Sequence, residues 1–226
     1  MPKTCNLDDC FLCQHCIKEW KELTRLNKET RLIAKGKTVF REGDPVEGIF
    51  FMYQGWVKVH KEWTHPKELI LRFAGKGDII GHRGLLEKKE YPVSATALED
   101  ALICFVPEDF LETSLRANTG LTYSMMQFYS RELQKADRRM RDLVHMDTPG
   151  RIAGALLEMR GKFGTNREGY IAMPVSRQDV ASYAGTTYET LFKIFTGLKK
   201  DKIISTSGKF IRIISEHKLH QFLKIK

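Results

Sequence analysis

The chain has 226 residues, 42% of them hydrophobic and 29% charged, with a formal net charge of +9, an ordinary globular composition long enough for a sizeable core and two domains. No stretch approaches about 18 consecutive apolar residues, which excludes a membrane-spanning helix. The N-terminal MPKTCNLDDCFLC is acidic and lacks a long apolar run, which excludes a signal peptide and predicts a soluble, cytoplasmic protein without a membrane partner.

Cys5, Cys10, Cys13 and Cys16 open the chain as C-x4-C-x2-C-x2-C. An odd total of five cysteines without a secretory signal argues for thiol or metal chemistry over a disulfide scaffold. Clustered thiolates suit an iron–sulfur cluster or zinc. Free thiols, responsive to oxidation or inert, are the third reading.

From about residue 36 to 106, short β-branched and aromatic runs (TVF, IFFMY, WVKVH, ELILRF, VSATA, ALICFV) alternate with glycines, the pattern of an antiparallel β roll or barrel. PEDFLETSLR at 107–116 starts with a proline suited to a first helical turn. A longer helix follows, roughly 119–146. Its seam of Met126, Tyr129, Leu133, Ala136, Met140 and Leu143 has the 3,4 spacing of a coiled coil and predicts a homodimer.

Asp147-Thr148-Pro149-Gly150 interrupts that helix as a hinge, with the next helix expected over 151–163 and a short strand over Tyr170–Val175. Then comes VSRQDVASYAGTTYETLFKIFTGLKKDKII, which reads as a helix-turn-helix and the start of a wing. Ser176 caps the first helix, with Asp179 in its first turn. Gly185 turns the corner, and Thr186 with Glu189 has the spacing of a capping box that starts the second helix. Leu191, Ile194, Phe195 and Leu198 form its inward side. Thr187, Tyr188, Glu189, Thr190 and Lys193 lie on or near the outer side and are the base-reading candidates, with Ser176, Arg177, Gln178 and Thr186 as further DNA contacts. IISTSGKFIRII adds a hairpin through Ser207-Gly208.

Charge follows the same division. Residues 147–226 hold 14 Lys+Arg against 7 Asp+Glu, whereas residues 1–146 hold 23 against 21, so most of the positive charge accompanies the helix-turn-helix, as phosphate neutralisation requires. The fold class expected is α+β. It comprises a Cys-rich segment and helix (1–32), a β-roll sensor domain (33–116), a dimerisation helix (117–146) and a winged helix-turn-helix domain (147–226).

This order and four strings resemble the Crp/Fnr family of transcription regulators. The strings are KGKTVFREGD at 35–44, IFFMYQGWVKVHK at 49–61, GKGDIIGHRGLL at 75–86 and SRQDVASYAGTTYETLFKIFTGLKKDKII at 176–204. The resemblance implies a homodimer on a twofold-symmetric DNA operator, recognition helices in successive major grooves, a signal received by a roll similar to cyclic-nucleotide-binding domains, and RNA polymerase as a candidate partner. It places Glu189 where relatives read a cytosine amino group and Lys193 where many have arginine. Tyr188 and Phe192 depart from the better-known patterns.

Cyclic AMP is disfavoured, because His82 stands at the ribose-binding glutamate and Pro92-Val93 at the phosphate-holding arginine–serine pair. Gly81, His82 and Arg83 form the candidate effector turn. They hold another anion, or are surface residues that cap the turn and pair with carboxylates; haem through His82 is a further reading. The resemblance to the Fnr branch implies that Cys104, within ALICFVP, joins the N-terminal cysteines at a metal, although their spacing differs from that branch.

The chain has no phosphate-binding glycine loop with its lysine, no HExxH pair and no GxSxG turn, which argues against an enzyme. The competing reading is a ligand-binding module similar to cyclic-nucleotide-gated subunits, without a DNA-linked output.

Overall fold

The structure, a computed structural model, describes residues 10–64, 67–85 and 89–223. Two helices, α1 (Phe11–His15) and α2 (Trp20–Asn27), precede the strands β1 (Glu29–Ile33), β2 (Thr38–Phe40), β3 (Gly48–Gln54), β4 (Val57–Thr64), β5 (Lys67–Ala74), β6 (Ile79–Ile80), β7 (Ser94–Ala97) and β8 (Ala101–Pro107). The strands form two antiparallel sheets, ordered β1-β8-β3-β6 and β2-β7-β4-β5. The chain divides into two units, Met1–Leu133 and Gln134–Lys226, and the roll belongs to the first.

β3 is nearly continuous in apolar residues because both of its faces are covered. Phe50 and Met52 enter the core between the sheets with Phe40, Val59 and Ile103. Ile49 and Phe51, on the opposite face, join a second cluster with Leu12, Leu111, Leu121 and Phe128 from the helices. β8 divides in the same way: Ile103 and Phe105 enter the first cluster, Cys104 and Val106 the second.

β1 begins ahead of residue 33, where the roll was expected to start. Glu29–Ile33 pairs with β8 from Glu29↔Phe105 to Ile33↔Ala101. None of its residues is buried and Leu32 is exposed, so no covered face signalled a strand. Arg31 lies over the Phe105 ring at 4.0 Å instead.

α3 (Glu108–Ala117) and α4 (Thr119–His145) follow. α4 buries Leu121, Met125, Phe128 and Glu132, spaced 4, 3 and 4 apart. Glu132 receives Arg72 of β5 at 3.3 Å, both side chains being nearly covered. Met126, Tyr129, Leu133, Ala136 and Met140 are exposed in the single chain. Among the described residues no helix is long and apolar enough to cross a membrane.

The second unit contains α5 (Thr148–Phe163), α6 (Arg177–Ala184), α7 (Tyr188–Lys200), β9 (Ile204–Ser207), β10 (Phe210–Ile213) and α8 (Glu216–Gln221). α5 begins three residues before the expected Arg151. The Asp147 carboxylate accepts from the Gly150 amide at 2.8 Å, and Pro149 occupies the first turn.

Tyr170–Val175 is not a strand. It buries alternate residues Ile171, Met173 and Val175, but its ladder pairing among the described residues stops at an isolated bridge, Thr165↔Ile171, and a single bond from the Ile171 amide to the Ile211 carbonyl of β10 at 2.8 Å. Alternation there reflects burial without a partner strand to complete a ladder.

Candidate nucleic-acid interface

α6 starts as its sequence dictates. Ser176 Oγ accepts from the Asp179 amide at 3.0 Å, and the helix buries Val180, Ala181, Tyr183 and Ala184. It ends at Gly185, whose φ of +63° is costly for any residue with a side chain. A Cβ there would also lie 2.7 Å from the Leu143 side chain. Leu143, expected in the dimer seam, is thus placed against the corner of its own helix-turn-helix.

The capping box at Thr186 does not form. The Thr186 amide closes α6 on the Ala181 carbonyl at 3.0 Å, so the new helix begins one residue later. Thr187 is the cap, its Oγ1 accepting from the Thr190 amide at 3.2 Å. Glu189 sits in the first turn, where a bond to its own backbone amide and one to Thr187 hold its carboxyl below the usual range. The exposed face therefore presents a carboxylate.

α7 buries Leu191, Phe195 and Leu198; Ile194 is half-buried. Thr187, Tyr188, Glu189, Phe192, Lys193, Thr196, Lys199 and Lys200 are exposed. Gln178 is exposed on the first turn of α6, whereas Ser176, Thr186 and Thr190 are half-buried. β9 and β10 pair from Ser207↔Phe210 to Ile204↔Ile213, so the turn consists of Gly208 and Lys209, one residue beyond the expected Ser207-Gly208.

Arg177 is committed to this wing. Its guanidinium donates to the carbonyls of Gly208 and Lys209 at 3.1 Å and of Phe210 at 3.4 Å, and lies 5.3 Å from the centre of the Phe195 ring. The charge read from sequence as a DNA contact thus fastens the hairpin beside α6 and α7. Two further arginines, missed in the sequence, fix the corner. Arg139 bonds the Tyr183 carbonyl and lies over its ring at 4.1 Å. Arg151 donates to the carbonyls of Met146, Ala184 and Gly185 at 2.7, 3.0 and 3.4 Å. Arginine bonds to backbone carbonyls leave no sequence signature. Phe192 did leave one, as an aromatic residue on the polar side of an amphipathic helix.

The effector turn lies in the first unit. Gly81 has a φ of +82° and leads into a 3-10 turn, His82–Gly84. Surface placement of His82 is overturned: the residue is 4% exposed, its ring 4.9 Å from that of Phe128 and 5.6 Å from that of Tyr129. The Tyr129 hydroxyl donates to its carbonyl at 2.9 Å. Burial, then the charges of Arg72 and Arg83, push the His82 pKa down to about 3, so the ring is neutral. Burial also lowers the half-buried Arg83.

A cavity of about 10 Å³, room for one water at most, lies among Arg72, Gly81, His82, Arg83, Tyr91 and Val93. Arg72 is engaged with Glu132 and the Ile79 carbonyl, and Val93 is buried. With these side chains in place the cavity is smaller than a cyclic nucleotide or a haem.

Cys10, Cys13, Cys16 and Cys104 are outside any disulfide and are buried in one apolar cluster, the first three on or beside α1 and the last on β8. Burial pushes the Cys16 thiol up, partly offset by a bond to Thr24. Among the described residues no three His, Cys, Asp or Glu side chains are grouped closely enough to hold a metal ion. Cys5, the fifth candidate ligand, lies outside the described residues.

Residues 30–118 match the family described as cyclic nucleotide-binding domain, and residues 150–222 the family described as Crp-like helix-turn-helix domain. The chain is 28% identical over 221 residues to the transcriptional activator protein anr of Pseudomonas aeruginosa, covering 93% of this chain and 89% of that one. It is 29% identical over 195 residues to the anaerobic regulatory protein of Bacillus subtilis, covering 84% and 82%. The solved structure of FixK2 from Bradyrhizobium japonicum superposes with a TM-score of 0.75 at 24% identity, covering 86% of this chain and 96% of that one, a likeness of fold.

One prediction comes from His82. Between pH 6.5 and about 3 the unfolded chain binds a proton at this ring that the folded chain does not, so stability is present above pH 6.5 and is lost as pH falls. All three tryptophans, Trp20, Trp56 and Trp63, lie in the first unit, so their fluorescence in urea reports its unfolding. From pH 6.5 to 5.5 the wild type should lose about 1 kcal/mol more than His82→Leu. Equal losses in the two proteins would show that the ring is not held neutral.

Proposed function

This chain belongs to the Crp/Fnr family of transcription regulators, and from that premise we propose that it is a homodimer that recognises a twofold-symmetric operator under control of a signal received by its N-terminal unit. The observation that carries the reading is the exposed face of α7, with Glu189 beside Lys193, Lys199 and Lys200 and a wing tip at Lys209. Lysines neutralise phosphates irrespective of sequence, while a carboxylate in the major groove accepts from the cytosine amino group. The ligand-binding module without DNA-linked output is set aside by the helix-turn-helix match over residues 150–222. The curated relatives compared above are named as regulators of transcription or of anaerobic response, in keeping with a chain that is not an enzyme.

Dimerisation is supported by the second stripe of α4. Met126, Leu133 and Met140 are each more than 60% exposed in the single chain, and Tyr129 and Ala136 lie along the same seam. A partner helix would bury this row as knobs in holes. Leu143 does not belong to the seam in this reading, because Gly185 meets it within the chain.

We propose that the signal is received at the four buried thiols. Burying several thiols together in apolar surroundings is ordinary for free cysteine, but their deprotonated forms would need a cation, and soft metals supply one. An iron–sulfur cluster on Cys10, Cys13, Cys16 and Cys104 would supply a redox-active group, and these thiols would have to draw closer together to hold it, since among the described residues no three lie close enough for a metal ion. Zinc or metal-free thiols are the other outcomes. A relative named anaerobic regulatory protein agrees with a redox signal.

Three measurements test these readings. In competition between duplexes selected from a random library, Glu189→Ala should lose about tenfold or more in discrimination at one base pair per half-site, while the binding of both proteins weakens steeply with salt; undiminished discrimination would remove Glu189 as a base reader. Sedimentation of the full chain should give twice its mass, with Leu133→Glu sedimenting as a monomer; a monomeric wild type at operator-binding concentrations would overturn the dimer. Protein isolated without oxygen should be coloured and contain iron and sulfide, both lost in Cys104→Ala; a colourless, iron-free protein would refute the cluster.

A further inference from the structure

The outer face of α7 carries a large apolar side chain in the middle of its charged groups. Phe192 is 60% exposed, one helical turn beyond Glu189 and next to Lys193. It is absent from the apolar set α7 buries, namely Leu191, Phe195 and Leu198. One turn further on, the exposed Thr196 donates its hydroxyl to the Phe192 carbonyl at 2.9 Å, which leaves the threonine methyl as the group available for outside contact. Tyr188, one turn before Phe192, is 44% exposed. An apolar strip from Phe192 to Thr196 thus runs beside the Glu189 carboxylate.

A strip of this kind on a protein surface can serve a protein partner or a nucleic acid. Its surroundings favour the nucleic acid: Lys193, Lys199 and Lys200 share the exposed side of the helix, and residues 147–226 carry 14 Lys+Arg against 7 Asp+Glu. In the major groove one base-edge group is apolar, the C5-methyl of thymine. The neighbouring Lys193 is itself exposed, and a thymine methyl would bury part of the Phe192 ring while leaving that charge in water.

We infer that Phe192, assisted by the Thr196 methyl, packs on thymine C5-methyl groups of the operator half-site, so that the apolar strip selects thymine as Glu189 selects cytosine. This rests on the reading of α7 as the recognition helix. Three residues of helix rise about 4.5 Å, against about 3.4 Å between successive bases. The selected thymine therefore lies within about two base pairs of the one read by Glu189.

The test uses the full chain, isolated without oxygen, and the best duplex it selects from a random library. Each thymine of one half-site is replaced in turn by deoxyuridine, which removes the methyl and keeps the hydrogen-bonding edge. Wild-type affinity should fall about three- to fivefold at one or two positions, the size expected for one buried methyl group. Phe192→Ala should bind the unmodified duplex more weakly and be indifferent to the same replacements. Phe192→Leu, which keeps an apolar contact, should remain sensitive.

Since Phe192 is exposed, neither substitution disturbs the buried side of α7. Tight duplex binding by the wild type with no sensitivity at any thymine would overturn this assignment and leave the operator reading intact. Equal sensitivity in Phe192→Ala would do the same, moving the methyl contact to another residue. Failure to select any duplex would overturn both readings, and the strip would then suit a protein partner.

Discussion

Helix α4 carries two apolar stripes, and a single chain covers one of them. Leu121, Met125, Phe128 and Glu132 face the roll, whereas Met126, Leu133 and Met140 face outward. The covered stripe ends in a charge: Glu132 is buried at the helix surface and matched by Arg72 from β5 at 3.3 Å. A buried pair of this kind adds little net stability over an apolar pair of the same shape, but removing one partner costs about 3–5 kcal/mol because the other charge is left stranded. It therefore acts mainly as a registration device. Sliding α4 along the roll would separate the two charges in an apolar setting, so the pair fixes which helix positions face the sheet and, by the 3.6-residue period, which face away.

The same requirement shapes the surroundings of His82. Arg72, held by Glu132 and by the Ile79 carbonyl, places a positive charge near the ring, and Arg83 adds another. Protonating His82 would add a third charge in a buried site, so the ring stays neutral and packs as an aromatic against Phe128 and Tyr129. A turn that faces a ligand in a nucleotide-binding roll is here filled from within by side chains of the roll and α4. The 10 Å³ cavity beside it is what remains.

Much of this was legible from periodicity and turn chemistry. The long helix α4, the Ser176 cap, the Gly185 corner and the β-rich wing are local patterns, and the residues that carry them lie close together in the chain. Other features depend on distant partners and were not legible. Glu29–Ile33 lacks a buried face, and its strand character comes from the β8 backbone. Tyr170–Val175 alternates correctly but touches β10 through one backbone bond at Ile171 and builds no ladder among the described residues. Thr186 had the right spacing for a capping box, yet its amide was already needed to close α6, which moved the cap to Thr187. His82 looked like a surface residue because neither Phe128 nor Tyr129 is near it in sequence.

The arginines of the second unit show why charge alone is a poor guide to a binding face. Arg177, Arg139 and Arg151 each direct their guanidinium to backbone carbonyls: the wing turn, Tyr183, and the Ala184–Gly185 corner. A planar fork with five donors can reach several carbonyls spread along a chain reversal at once, whereas lysine offers three donors on a single nitrogen. The lysines are the complement. Lys193, Lys199 and Lys200 remain exposed on α7, where a flexible point charge suits a phosphate whose position need not be specified. Two kinds of cation thus differ in placement: arginines hold the helix-turn-helix and wing in shape, and lysines stay exposed, free in the proposed reading to attract the duplex. In that reading, selection among base sequences is left to the few exposed groups that are neither, Glu189 and the Phe192–Thr196 strip among them.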